Sequence, residues 1–260
     1  MEPSEIRAVF VDVDGTTFRH DCYEVPATTY LALNRLKHNG IKLCLLSSRT
    51  PEETIHLPSD FIGMMDALLW SAGSVLIENG VRTVHTIDPG DVKIAIDYAR
   101  KHDLVVRYST GTEGYFDERT SDQHNEIFHY LYRTIPTIKK WDNDPSVGMI
   151  VFCDDAQKEE LSGLLKRSHP TKMVRTVEIT PLGINKGTAL IEQCERWKIP
   201  VSSSLAFGDG VNDITMLQAA GIGVAMGNAR EEVRAAADKI CGRIEDDGLY
   251  HCVKELGLLD

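Results

Sequence analysis

Three short apolar runs in this sequence each break into polar residues at their carboxyl ends, and together they restrict the fold more than any other feature. Ala8-Val9-Phe10-Val11 leads into Asp12-Val13-Asp14-Gly15-Thr16. Leu43-Cys44-Leu45-Leu46 leads into Ser47-Ser48-Arg49, and Leu205-Ala206-Phe207 into Gly208-Asp209-Gly210. Such runs read as strands buried on both faces, which is the habit of parallel sheets covered by helices. Between them apolar runs alternate with helical patterns, so an α/β fold with a parallel sheet is predicted. In open α/β sheets the carboxyl edge of the strands is where ligands bind.

Two helix starts lie beside these strand ends. Thr50-Pro51-Glu52-Glu53 fits a capping box with proline at the first helical position, so a helix is predicted directly after Ser47-Ser48-Arg49. Its free N–H groups would favour an anion held by the Ser47 hydroxyl. In "GINKGTALIEQCERWKIP", Asn185 can cap a helix whose apolar face carries Leu190, Cys194 and Trp197. Lys186 then falls in the first turn, where the helix dipole disfavours a cation. A local rule broken without local gain marks Lys186 as a functional candidate.

If the strand ends meet, Asp12, Asp14, Asp209 and Asp213 crowd together. Two carboxylates about 4 Å apart repel by about 4 kcal/mol at an effective dielectric near 20, so a cation is required among them. An all-oxygen, carboxylate-rich set without Cys or His suits Mg²⁺. Lys186 supplies a second positive group, and a phosphate between Asp12, Ser47 and Lys186 would be neutralised from three sides. Asp12 is then placed as a nucleophile that forms an aspartyl-phosphate, and Asp14 as the general acid/base.

"FVDVDGTT", "LCLLSSR", "NKGTAL" and "FGDGVND" resemble, in order, the four motifs of the haloacid dehalogenase superfamily. The tail "LAFGDGVNDITMLQAAGIGVAMGNAREEVRAAAD" is similar to the Cof-type branch, which includes sugar-phosphate phosphatases. The resemblance implies a Rossmann-like core and a Mg²⁺-dependent phosphatase acting on small phosphorylated metabolites, sugar phosphates foremost. By the same resemblance, Asp12 is the nucleophile and Asp14 the general acid/base, while Lys186 neutralises the phosphoryl group and positions Asp12. Mg²⁺ would be held by the Asp12 carboxylate, the Asp14 backbone carbonyl and Asp209. Ser47, Ser48, Arg49 and Asn212 form the implied phosphate-binding set, with a structural role in the loop as the equal alternative for Arg49, Thr16 ordering the turn after Asp14, and Asp213 supporting the metal waters and the loop. Ser47-Ser48 stands where the family often has Thr-Gly, Ala72-Gly73-Ser74 where Asn-Gly-Ala is usual, and Ile244 where many members have asparagine.

Between the second motif and the third lie about 100 residues that do not continue the pattern of the N-terminal part. They carry their own helix-strand alternation: a helix from Asp88-Pro89, the strand "DLVVRYST", the strand "SVGMIVFC", a helix near Ala156–Lys166, and the strand "KMVRTVEIT". The segment 83–183 therefore reads as an α+β cap inserted into a discontinuous core of 1–82 and 184–260. The boundaries lie near Arg82–Val84 and Pro181–Gly183.

Composition narrows the partners. A formal net charge of -11 repels nucleic acid phosphates and anionic lipids, and no obligate protein partner is implied. Six scattered cysteines without a C-x-x-C pair read as buried free thiols, and the N-terminus lacks an apolar leader, so a cytoplasmic location is expected. Two other readings use the same groups. A phospho-aspartate switch of the receiver type is about half this length and needs no lid. A sugar phosphomutase of the same superfamily stays open until release of free phosphate is measured.

Overall fold

In the computed structural model, which describes residues 5–259, the three apolar runs become neighbouring parallel strands. They are β1 (Ala8–Val11), β2 (Lys42–Leu46) and the later β12 (Ser204–Gly208). Val11 is in register with Leu45 on one side and Phe207 on the other, so Asp12, Ser47 and Asp209 leave the sheet at one edge. The first sheet adds β3 (Ala67–Trp70), β4 (Val75–Glu78), β5 (Val81–Val84), β13 (Ile222–Ala225) and β14 (Lys239–Ile240), in the order β14-β13-β12-β1-β2-β3-β4-β5. The pairs from β14 to β3 are parallel, and β4 and β5 close the far side as antiparallel strands.

Successive side chains of a strand point to opposite faces, and here both faces are apolar. Val9, Val11, Leu43, Leu45, Leu205 and Phe207 pack on one side against α1 (Ala27–His38) and α9 (Gly248–Glu255). Ala8, Phe10, Cys44 and Ala206 pack on the other against α6 (Lys186–Trp197) and α7 (Ile214–Ala219). Phe10 meets Trp197 with ring centroids 5.9 Å apart. Two short helices, α2 (Ser59–Gly63) and α8 (Glu231–Ala235), complete this unit.

A second, six-stranded sheet lies within the inserted segment, in the order β10-β11-β9-β6-β7-β8. Its strands are β6 (Val106–Ser109), β7 (Gly114–Phe116), β8 (Thr137–Ile138), β9 (Gly148–Phe152), β10 (Ser168–Lys172) and β11 (Thr176–Pro181). One face is sealed by α3 (Pro89–Lys101) and α5 (Asp155–Leu164), through Val92, Ile96 and Leu161 packed on Met149, Val151 and Val177. The alternation turns Ile150, Phe152, Thr176 and Glu178 the other way, toward the carboxyl edge of the first sheet. A further helix, α4 (Asp122–Tyr130), covers that side.

Several expectations change in detail. β5 runs to Val84 and pairs with β4, so a boundary after Arg82 cuts a strand of the first sheet. "KMVRTVEIT" is not one strand: Lys172 ends β10, Met173 N–H bonds back to Thr176 O, and the pair forms a hairpin. All six cysteines are free, but Cys22 is exposed and Cys241 only half-buried. Among the described residues no helix is long and apolar enough to cross a membrane.

Candidate active site

The capping box after β2 closes a single 3₁₀ turn, Pro51–Thr54, not the full helix expected there. Glu53 accepts the Thr50 N–H at 3.1 Å, while the Thr50 hydroxyl accepts from Arg107 of β6. One 3₁₀ turn aligns few peptide dipoles, so it offers an anion little of the field expected at this point. Asn185 does cap α6, its side chain accepting the Thr188 N–H at 3.0 Å. The cap fixes the first turn, and with it the root of Lys186.

Lys186 is 1 % exposed, and its ammonium reaches Asp12 Oδ1 at 2.6 Å and Asp213 Oδ1 at 2.5 Å. Burial alone would strip its proton, but the two carboxylates more than offset this and raise its pKa. Asp213 is fully buried, and its second oxygen accepts the backbone N–H groups of Asp209 at 3.0 Å and Gly210 at 2.8 Å. These bonds hold the start of the loop after β12.

Carboxylate oxygens of Asp12, Asp209 and Asp213 lie within 4.8 Å of one another. One lysine among three carboxylates leaves a charge deficit. Burial, with Asp213 and Asp14 adding and Lys186 opposing, pushes the Asp12 carboxyl up to about 7. Burial and then the charges of Asp12 and Asp213 push Asp209 up to about 8. Three carboxylates sharing one lysine form an all-oxygen donor set that could hold a cation. The chemistry of the donors fits a hard divalent ion.

Gly15 and Thr16 hold Asp209 in place. Gly15 sits at φ +78°, and a Cβ there would run into the Asp209 carboxylate. Thr16 donates its hydroxyl to Asp209 Oδ1 at 3.0 Å, so it orders the metal candidate. The turn after Asp14 is tied by the Thr16 N–H, which donates to Val13 O at 3.3 Å, and by the Thr17 hydroxyl, which donates to Asp12 O at 2.6 Å. Asn228, which sequence reasoning missed, bridges Gly15 O at 2.9 Å and Asp209 Oδ2 at 3.1 Å. Its only signal is its place just after β13, at the same sheet edge.

Ser47 and Ser48 line the cavity above Asp12, and Asn212 donates to the Ser48 hydroxyl at 2.6 Å. Of the two roles open to Arg49, phosphate binding and a structural role in the loop, its contacts are those of the second. Its buried guanidinium donates to Asp14 Oδ1 at 2.7 Å and to the carbonyls of Glu53, Leu131 and Tyr132. No donor of Arg49 is aimed into the cavity, because all its nitrogens are engaged by these acceptors. Leu131 and Tyr132 belong to the inserted segment, so Arg49 ties the two units together.

Asp14 is held from several sides. Besides Arg49, it takes Arg133 Nη2 at 2.7 Å, and His20 Nε2 lies 3.1 Å from Oδ1. Burial would raise its pKa, but Arg133 and then Arg49 override that and hold it well below the usual carboxylate range. Arg133 was not singled out from sequence, and its 119-residue separation from Asp14 explains why. The cavity itself measures about 260 Å³ and is lined by Asp12, Asp14 and Asp209 below and by β9, β11 and α4 residues above. Of the aromatic residues in the insertion, Trp141 is packed in its core, and His124 stands edge-on to Phe152 at 4.6 Å.

Known proteins are similar to this chain over most of its length. The chain is 25% identical over 268 residues to the putative phosphatase YkrA of Bacillus subtilis, covering 97% of this chain and 98% of that protein. It is 26% identical over 269 residues to the 5-amino-6-(5-phospho-D-ribitylamino)uracil phosphatase YcsE of the same organism, covering 97% and 96%. The HMP-PP phosphatase of Shigella flexneri is 29% identical over 248 residues, 88% of this chain and 87% of that one. Among solved structures, the subclass IIB sugar phosphatase BT4131 shares the fold with a TM-score of 0.90 at 23% identity, over 97% of this chain and 99% of that one. The sequence profile of the haloacid dehalogenase-like hydrolases matches residues 9–253, and the chain belongs to that family.

Proposed function

We propose that this hydrolase is a Mg²⁺-dependent phosphatase that removes phosphate from a small metabolite through an aspartyl-phosphate on Asp12. The observation that carries the reading is the Lys186 ammonium lodged between Asp12 and Asp213, beside Asp209 and next to the cavity that the inserted unit covers. Phosphatase names on relatives that span nearly the full chain support the same class.

Asp12 and Asp209, with the Asp14 backbone carbonyl, would hold Mg²⁺, and Asp213 would support it. When bound, the ion neutralises phosphoryl charge and the repulsion between the carboxylates. Asp12 attacks phosphorus and the ester oxygen leaves, taking a proton from Asp14. A water then attacks the phospho-aspartate while Asp14 takes its proton, releasing phosphate and restoring Asp12. Lys186 keeps Asp12 ionised and aimed, and Ser47 and Asn212 orient the phosphoryl oxygens. The ion pairs around Asp14 suit the second step, where a base is needed. The first step requires Asp14 to carry a proton, which Arg133 opposes while the inserted unit is closed.

A direct test is release of inorganic phosphate from a small aryl phosphate with and without Mg²⁺. Activity that needs Mg²⁺ and no sugar bisphosphate supports a phosphatase over a mutase. Full activity in excess chelator would remove the metal from the account.

A further inference from the structure

The cavity over Asp12 has two unlike ends. The lower end is polar and belongs to phosphate and metal. The upper end is walled by Ile127, Phe128, Leu131, Ile150, Phe152 and Met173, all from the inserted unit. Polar side chains on that wall are few. Arg133 pairs with Asp14 and Glu53 through its two terminal nitrogens, at 2.7 and 3.5 Å, and its Nε is buried without a partner, which leaves Thr176 and Glu178 as the accessible polar side chains.

This lining selects by chemistry. A sugar-like leaving group carries a hydroxyl on nearly every carbon, and each one buried without a partner costs about 1–3 kcal/mol. Two polar side chains cannot satisfy so many. An aromatic or largely apolar ring fills such a wall without penalty and stacks on Phe128 or Phe152. At about 260 Å³ the cavity is smaller than the roughly 300–1,000 Å³ of pockets for drug-sized ligands, so it suits a single ring better than a nucleotide.

Glu178 adds a sign. It stands on β11 between the polar floor and the apolar wall, where burial raises its pKa while Arg133, Lys186 and a hydrogen bond with Ser48 favour its ionised form. An ionised carboxylate only accepts hydrogen bonds, so it favours an N–H donor or cation on the ring and repels a second phosphate or carboxylate. Resting on the phosphatase reading above, we propose that the leaving group is a ring-bearing alcohol, planar or largely apolar, that presents an N–H donor to Glu178. Polyhydroxylated sugars are the poorer class.

The experiment compares kcat/KM of the full chain with Mg²⁺ on pyridoxamine phosphate, benzyl phosphate, glucose 6-phosphate and nitrophenyl phosphate. Pyridoxamine phosphate is expected to exceed glucose 6-phosphate by tenfold or more. In Glu178→Gln the ratio of pyridoxamine phosphate to benzyl phosphate should fall at least tenfold, since the isosteric amide keeps the shape but loses the charge. A smaller preference over glucose 6-phosphate, or a smaller change of that ratio, overturns the inference while nitrophenyl phosphate hydrolysis keeps the phosphatase reading standing. No phosphate released from any of the four would sink that reading, and this inference with it.

Discussion

Asp14 Oδ2 lies 2.7 Å from Nη2 of Arg133, so the carboxylate assigned to proton transfer is paired with a cation from the inserted unit. The contact exists only while that unit sits on the first sheet's carboxyl edge. Closure and the proton affinity of Asp14 are therefore linked. Removing Arg133 leaves Asp14 with Arg49 and His20, and its pKa rises toward the ordinary range. Depressed when folded, Asp14 contributes stability above the usual carboxylate pKa and loses it as pH falls through its own lowered value. Arg133→Ala should move the pH limb set by Asp14 upward by about one unit or more. A kcat/KM profile that superimposes on the wild type would release Arg133 from this positioning role.

The metal site predicts opposite behaviour. Asp12 and Asp209 have carboxyls raised to about 7 and about 8 in the metal-free protein. Between the ordinary carboxylate pKa and those values the folded chain binds more protons than the unfolded one, so metal-free stability falls as pH rises through that window. Mg²⁺ must displace these protons, and its affinity should weaken as pH falls below them. Calorimetric titration at about pH 6 and about pH 8.5 should give a Kd at least tenfold weaker at the lower value. Equal affinities would mean that these carboxylates do not hold the ion.

Lys186→Ala should harm both turnover and stability. As a first-turn lysine it opposes the helix dipole, which by itself predicts little effect on stability. Its burial between Asp12 and Asp213 reverses that expectation. Losing the cation of a buried pair costs about 3–5 kcal/mol, and losing one electrostatic contact to the phosphoryl group costs about 10²–10³ in kcat. Chemical denaturation without metal measures the first, and steady-state kinetics the second. An unchanged midpoint would show that water reaches these carboxylates.

Gly15→Ala is a backbone test. The left-handed φ of +78° disfavours a side chain by about 1–2 kcal/mol, and the added methyl meets the Asp209 carboxylate. The variant should fold less stably and bind Mg²⁺ at least tenfold more weakly. Native-like Mg²⁺ affinity would show that Asp209 can shift without loss.

The groups legible in the sequence share one property: each stands at a strand end or a helix start. Asp12, Ser47 and Asp209 end apolar runs, and Lys186 follows the Asn185 cap, so local pattern alone brings them to one sheet edge. Arg49 was visible, but its role was not, since its partner Asp14 and the carbonyls of Leu131 and Tyr132 are distant in sequence. Arg133 and Glu178 were missed for a related reason. Alternation in "TVEIT" separates Val177 and Ile179 from Thr176 and Glu178, but not which pair faces helices and which faces the cavity. That depends on what packs across the strand, and here "KMVRTVEIT" also hides the hairpin turn that sets the register.

The central claim is covalent: phosphate passes through Asp12. Asp14→Asn should slow hydrolysis of the phospho-aspartate, since a general base typically contributes about 10²–10⁴-fold. Acid quenching of this variant during turnover of an aryl phosphate, followed by peptide mass spectrometry, reads the intermediate directly. The account predicts a phosphoryl group on the peptide that begins the first motif, localised to Asp12. Phosphate release with that peptide unmodified at every quench time, and the phosphoryl group on another residue, would contradict it.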